Sequence, residues 1–339
     1  MTTSLSADQS AADSVTAENI FSFIELNQYL DFVAMCDFVR GYRYMGLLRG
    51  PAGAGKTVSA KRYREEQPLM TANGQSPVLY FQLARGEENH KAFYRRVIEA
   101  ITGIPYQKRF SAADMIGEAK RLLRRYGYDL IIADEIGNMN NDGIEGARTL
   151  HDEIGIPIIF IGMDDTFKDR METELPQFYS RIAEVLEFGL LSYDMLKHDV
   201  LTQVSPASHL TFSPAQRDAD EIARELFTGA GGNDERGARF RDVQVLLVRC
   251  HHILDEKFRL RKEWIAENSE RRAPRTPTFN AEIVREAVKK SKQRGKQRRQ
   301  SAKAGGSSPS LVRDDKSQPG STGAIPDVSP HLESTATPE

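Results

Sequence analysis

From Glu18 onward the chain alternates between two patterns of apolar residues. Apolar positions recur at helical spacing in Ile20 to Val39 (IFSFIELNQYLDFVAMCDFV), Thr57 to Glu66, His90 to Ile101, Ser111 to Gly127 and Gly143 to Gly155. Between these lie short apolar runs: Tyr44 to Gly50 (YMGLLRG), Pro77 to Leu83 (PVLYFQL), Tyr128 to Glu135 (YDLIIADE), Ile156 to Met163 (IPIIFIGM) and Val185 to Phe188 (VLEF). They have the length of strands, and turn signals such as NGQSP (Asn73 to Pro77) precede them. Ser111 reads as the N-cap of its helix. Strands that are apolar along their whole length and alternate with helices predict a parallel sheet covered on both faces. After Tyr193 the strands stop. Asp194 to Val204, Asp218 to Phe227 and Arg241 to Leu254 all read as helices. The expectation is an α/β domain over residues 18–190 and a smaller all-helical domain over 191–290.

Composition changes this picture at the two ends. Residues 1–17 carry no periodic pattern. Arg285 to Lys303 (REAVKKSKQRGKQRRQSAK) is dense in Lys and Arg with the single acid Glu286, and a Ser-, Pro- and Gly-rich stretch follows. Both 1–17 and 291–339 are therefore expected to be disordered. The N-terminus has neither a basic nor an apolar region of the kind a signal peptide needs, and no stretch reaches the length of a membrane span. Cys36 and Cys250 are the only cysteines, too few for a disulfide framework or a zinc site, which points to the reducing cytosol.

The candidate chemistry begins at GPAGAGKT. Gly50, Pro51, Ala52, Gly53, Ala54, Gly55, Lys56 and Thr57 fill the phosphate-binding pattern G-x-x-x-x-G-K-[ST] between an apolar strand and a helix, the context it requires. Glycines let backbone N–H groups turn inward around a phosphate, and the helix N-terminus adds its dipole. Lys56 is placed to reach the β- and γ-phosphates, and Thr57 offers a hydroxyl to Mg²⁺. LIIADE (Leu130 to Glu135) is the matching strand: Asp134 is placed to hold the Mg²⁺ shell and Glu135 to polarise the attacking water as general base. An adjacent Asp-Glu pair argues for ATP hydrolysis rather than static binding. At the tip of the next strand, Asp164 is the candidate contact to the γ-phosphate or the water.

LPQFYSRIAEVLEF (Leu175 to Phe188) places Arg181 between a short helix opened by Pro176 and an apolar run that looks like the entry to a buried strand. Alone, Arg181 could be a helix-end cation complementing the dipole. The order phosphate loop, acidic strand, third strand, short helix, arginine, strand, helical lid is that of an AAA+ ATPase. That family's fold is α/β: a P-loop NTPase with a parallel sheet sandwiched by helices, followed by a small all-helical lid. The resemblance implies that Arg181 points into the nucleotide of a neighbouring subunit as an arginine finger. It also implies that a lid arginine, Arg239 or Arg241, senses the γ-phosphate.

Several segments resemble a narrower group. MGLLRGPAGAGKT, IIADEIGNM, IPIIFIGM and above all LPQFYSRIAEVLEF followed by GLLSYD look like the transposition-helper ATPases of the TniB, TnsC and phage Mu B type. PRTPTFNAEIVREAVKK (Pro274 to Lys290) is similar to the lid end of that group. The resemblance spans roughly Ile20 to Lys290. It implies a protein that binds ATP and Mg²⁺ and forms a homo-oligomeric ring or helical filament, of six or seven subunits per turn, on double-stranded DNA. It further implies a transposase of the DDE type as partner, with a target-selector protein as a further partner, and no membrane. Gly162-Met163 departs from the family's polar strand tip.

DNA contacts of such a filament go to phosphates through Lys and Arg. Lys108 and Arg109 in the loop YQKRF, and Arg121 in AKRLLRRYG, are the candidates, with the basic segment Lys289 to Lys303 as a second DNA contact or a transposase-docking arm. Arg121, Arg124 and Arg125 also fit a solvated basic helix face. Two other readings stay open on the sequence: a replication initiator or helicase loader, and a nucleotide-switch ATPase of signalling or defence.

Overall fold

The computed structural model describes residues 23–86, 89–106, 111–162, 172–204, 209–233, 235–268 and 270–304, the last eleven by their backbone alone. The chain resolves into two units, Met1–Gln293 and Arg294–Glu339. In the first, five strands form one sheet: β1 (Met45–Arg49), β2 (Val78–Gln82), β3 (Leu130–Asp134), β4 (Ile158–Ile161) and β5 (Ile182–Glu187). Their order across the sheet is β2-β3-β4-β1-β5, with every neighbouring pair parallel.

Strand periodicity sorts the side chains into two cores. Leu47, Phe81, Ile131, Ala133, Ile158 and Phe160 face one side, against helices α3 (His90–Thr102), α4 (Ala112–Tyr126) and α5 (Asn141–Ile154). Leu48, Val78, Ile132, Ile159 and Ile161 face the other, against α1 (Asn27–Tyr42) and α2 (Lys56–Glu66). Each fully buried Leu, Ile or Phe contributes about 1.5–3 kcal/mol. The helix starts are capped as their residue types dictate. Asn89 accepts the Ala92 N–H ahead of α3, Asn140 accepts the Gly143 N–H ahead of α5, and Ser111 with Asp114 forms a reciprocal capping box on α4.

Among the described residues after β5 the regular elements are helices: an α–π turn over Met195–Gln203 (α7), α8 (Ala219–Gly229), the long α9 (Phe240–Glu267) and α10 (Ala281–Ala304). They share a core of their own, in which Leu226, Leu246, Leu254 and Val284 are fully or almost fully buried. A single bridge between Leu191 and Ala238 joins the chain leaving the sheet to the start of α9.

Three expectations change. Among the described residues the first helix begins at Asn27: Phe23 to Leu26 carry no regular secondary structure, and Leu26 is extended. Residues 291–304, expected to be disordered, continue α10 to Ala304. Their Lys, Arg, Gln and Ala are good helix formers, and lack of apolar residues does not forbid a helix that has already been nucleated. β5 is not a buried strand but the sheet edge, where residues alternate between half-buried and exposed and Val185 is 38% exposed. Residues 1–17 lie outside the described part of the chain.

Candidate functional site

β1 ends at Arg49, and Gly50–Gly55 turn the chain into α2. Gly50 sits at φ +144°, and a Cβ there would overlap the Phe188 carbonyl oxygen, so no other residue fits. Gly53 and Gly55 also take positive φ, +84° and +99°. The loop can thus aim backbone N–H groups at an anion in front of the α2 N-terminus. Lys56 folds over this loop, its Nζ donating to the carbonyls of Gly50 at 2.6 Å and Pro51 at 2.9 Å. Burial holds the Lys56 pKa below its ordinary value, against the opposing charges of Asp134 and Glu135.

Asp134 closes β3 and is 2% exposed. Its Oδ2 accepts from Thr57 Oγ1 at 2.7 Å, Tyr80 Oη at 3.0 Å and Gln82 Nε2 at 3.1 Å, and its Oδ1 accepts the Glu135 N–H at 2.8 Å. Those donors fix the carboxylate's orientation. The Tyr80 hydroxyl is kept protonated by burial first and by the Asp134 charge and hydrogen bond next, so it remains a donor. Glu135 follows at φ +61°, a left-handed conformation that costs a residue with a Cβ about 1–3 kcal/mol. The turn takes Glu135 out of the strand line and into the wall of the same cavity as Lys56 and Thr57.

That cavity measures about 710 Å³. Its floor is the Ala52–Thr57 loop, with Gly162 at the tip of β4 beside it. Phe23 to Tyr29, apart from Glu25 and Asn27, line one wall, and Arg241 and Gln244 of α9 line another. Gly237 turns at φ +65°, Ala238 pairs with Leu191, and the two lid arginines arrive beside the loop. A Cβ built on Gly53 would stand 3.4 Å from the Arg241 Cβ and 3.5 Å from the Arg239 Cβ. Both expected lid arginines therefore adjoin the P-loop.

Arg181 does not. Its carbonyl accepts the Met45 N–H at 3.2 Å, so it stands where β1 and β5 begin, and the P-loop follows where β1 ends. The five residues of β1 separate the two by roughly 16 Å. Its Nε donates to Asp152 Oδ1 at 3.2 Å, and its side chain is 47% exposed. Asp152 is also held by Arg148 at 2.6 Å. The helical turn before it, Pro176–Tyr179 (α6), is four residues long, too short for a dipole that needs a capping cation.

Arg121 lies on the exposed face of α4 in a two-point pair with Glu118, at 2.7 and 2.6 Å. Lys108, Arg109 and Asp164 lie outside the described residues. Tyr80 and Gln82 were not singled out from the sequence. The register of β2 on β3 reveals them: Gln82 sits opposite Asp134 on the neighbouring strand, and Tyr80 shares its face two residues back. The two thiols take no part. Cys36 and Cys250 are fully buried, and burial pushes the Cys250 thiol up to about 12.

The donor set fits a magnesium triphosphate. Three glycines allow the anion cradle, Lys56 supplies a cation, and the Thr57 hydroxyl meets the Asp134 carboxylate in the hard oxygen pair that Mg²⁺ prefers. Residues 39–171 match the family model described as an AAA domain. A "potential ATP-binding protein" of Staphylococcus aureus is 29% identical over 194 residues, which span 52% of this chain and 71% of that protein. The ORC2 protein of Aeropyrum pernix, solved as ADPNP–ADP complexes, superposes with a TM-score of 0.56 at 18% identity, covering 82% of this chain and 72% of that one. The fold is that of an AAA+ P-loop ATPase. The ORC1 protein of the same organism, solved in complex with DNA, gives a TM-score of 0.52 at 18% identity over 83% of this chain and 68% of that one. No helix among the described residues is long and apolar enough to cross a membrane.

Proposed function

We propose that this AAA+ protein hydrolyses ATP in a homo-oligomer on double-stranded DNA and directs a DDE transposase to its target. Hydrolysis rests on one observation above others: Lys56, Thr57, Asp134 and Glu135 converge on one cavity, with Glu135 turned into it by a strained backbone. The loop amides and Lys56 bind and orient the triphosphate. Mg²⁺ between Thr57 and Asp134 would neutralise charge on the β- and γ-phosphates. Glu135 accepts the proton of the attacking water. Tyr80 and Gln82 keep Asp134 aimed at Thr57. Arg241, in the cavity wall, and Arg239, beside Gly53, are the candidate readers of the phosphates from the lid, and Asp164 is a candidate contact from the strand tip.

Arg181 acts in this reading on the neighbouring subunit. A strand's length keeps it from its own P-loop, and it is exposed, held by a long hydrogen bond to Ser180 and by an Asp152 that Arg148 already shares. A cation supplied across a subunit boundary is worth about 10³–10⁵ in kcat.

The transposition role is carried by the LPQFYSRIAEVLEF and GLLSYD segments and by the end of the lid. A second reading, a replication initiator, is favoured by the fold likeness to ORC1, which was solved with DNA. Both readings require DNA. Lys108, Arg109 and Arg121 are the proposed phosphate contacts, and Arg121 would exchange Glu118 for a phosphate. The test is to image the protein on a long duplex with a slowly hydrolysed ATP analogue, then measure ATP turnover with and without the transposase. Nucleotide-dependent coating of the duplex and transposase-stimulated turnover are expected. Coating without stimulation would move the assignment to the initiator. A protein that ignores DNA in every nucleotide state would leave a nucleotide switch.

A further inference from the structure

Three aromatic rings stand exposed where α1 turns into β1. Phe38, Tyr42 and Tyr44 are 39%, 67% and 45% exposed, yet they pack on one another with centroids 4.9, 6.1 and 6.2 Å apart. Between the tyrosines, Arg43 takes a left-handed φ of +55°, is exposed, and makes no ion pair among the described residues. An apolar cluster of this kind, preformed and facing water with an arginine in its midst, has the composition of an interface core rather than of ordinary surface.

Its place in the fold says which interface. Tyr44 immediately precedes Met45, whose N–H donates to the Arg181 carbonyl, so Tyr44 and Arg181 open adjacent strands about 4.8 Å apart. We infer that Phe38, Tyr42 and Tyr44, with Arg43, anchor one copy of this chain on the cavity mouth of the next. The inference rests on the reading of Arg181 as a residue acting across a subunit boundary. If Arg181 reaches a neighbour's triphosphate, Tyr44 lies one strand spacing from the residue that reaches it.

The cavity mouth offers a matching surface. On α2, one residue past Thr57, Val58 is 57% exposed, an apolar side chain in the rim. Around it the cavity wall carries Glu65 and Glu135, and a bound triphosphate adds more negative charge. The aromatic face brings a cation, Arg43. Apolar meets apolar and positive meets negative. The two patches differ, so the contact is head-to-tail and propagates into rings or filaments instead of closing as a symmetric dimer.

That asymmetry gives the test. Tyr42→Ser/Tyr44→Ser disables one side and Val58→Arg the other. Assembly with a slowly hydrolysed ATP analogue, with and without duplex DNA, is followed by sedimentation. Each variant alone is expected to stay monomeric at a concentration about thirty-fold above the wild-type midpoint. Each should melt at the wild-type temperature. Tyr42→Ser/Tyr44→Ser, which lies outside the cavity, should bind a fluorescent ATP analogue as wild type does. Mixed together, the two variants retain one good pair of surfaces and should form dimers that grow no further.

Wild-type assembly by Tyr42→Ser/Tyr44→Ser overturns the inference, as does a mixture that stays monomeric or a wild type that never assembles. Normal assembly by Tyr42→Ser/Tyr44→Ser together with lost binding of a fluorescent single-stranded oligonucleotide would make the rings a base-stacking platform instead. Arg181→Ala separates this from the parent reading, since it should assemble but not turn over. If it turns over normally, the trans arginine falls, while the mixing result still decides whether the rings are an interface.

Discussion

The two edges of one sheet are built to opposite plans. Where the strands end, polar groups satisfy each other: Lys56 is folded onto the P-loop carbonyls, and Asp134 accepts from Thr57, Tyr80, Gln82 and the Glu135 amide. Where the strands begin, groups are left outward. Arg181 is half exposed, Arg43 has no ion pair among the described residues, and three aromatic rings face water. One edge can hold a triphosphate by itself. The other carries an exposed cation, paired with Asp152, and aromatic rings that face water. Such a pair makes sense when copies stack edge to edge, with the first edge of one copy meeting the second edge of another.

The largest break in this comparison should come from the outward edge. Arg181→Ala is expected to lower kcat by about 10³–10⁵ while ATP affinity, measured by a fluorescent analogue, stays within a few-fold of wild type. A parallel loss of affinity would place the guanidinium at its own site. Next comes the inward edge: Glu135→Gln removes the base and is expected to lower turnover by about 10²–10⁴. It should leave ATP bound and the assembled state accumulating on DNA, as seen by sedimentation. Gly50→Ala tests the loop itself. Its Cβ would overlap a backbone carbonyl, so the protein should lose about 1–3 kcal/mol and melt at a visibly lower temperature. The smallest effect belongs to Tyr80→Phe, which deletes one hydrogen bond to Asp134. It should cost about 1 kcal/mol, a several-fold weaker dependence of ATP binding on Mg²⁺.

Much of the inward edge was legible in the sequence because its chemistry is local. GPAGAGKT and LIIADE each bring their residues within a few positions, and each lies at a strand end that hydropathy alone reveals. Tyr80 and Gln82 were hidden because their role depends on β2 lying beside β3, a sheet order no single segment encodes. β5 departs from its sequence pattern for a related reason. Its run of apolar residues looks buried, but only its place at the edge of the order exposes alternate side chains. The approach of Arg239 and Arg241 to Gly53 needed the bridge between Leu191 and Ala238, which no spacing foretells. The outward edge was the harder half. Arg181 stood out by its neighbours in the chain. The aromatic rings on α1 and just ahead of β1 give no sign, since in sequence they are three more apolar positions in a helical pattern and an apolar run.

The most direct test of the account mixes two dead subunits. Arg181→Ala keeps an intact cavity but no cation to lend, and Glu135→Gln keeps the cation but no base. If Arg181 works across the boundary, a mixture of the two on duplex DNA contains composite sites: the Arg181→Ala cavity completed by the Glu135→Gln neighbour's arginine. Turnover should then rise well above the sum of the separate proteins and peak near equal amounts. A mixture whose ATP hydrolysis equals that sum at every ratio would contradict the account and return Arg181 to an ordinary surface cation paired with Asp152.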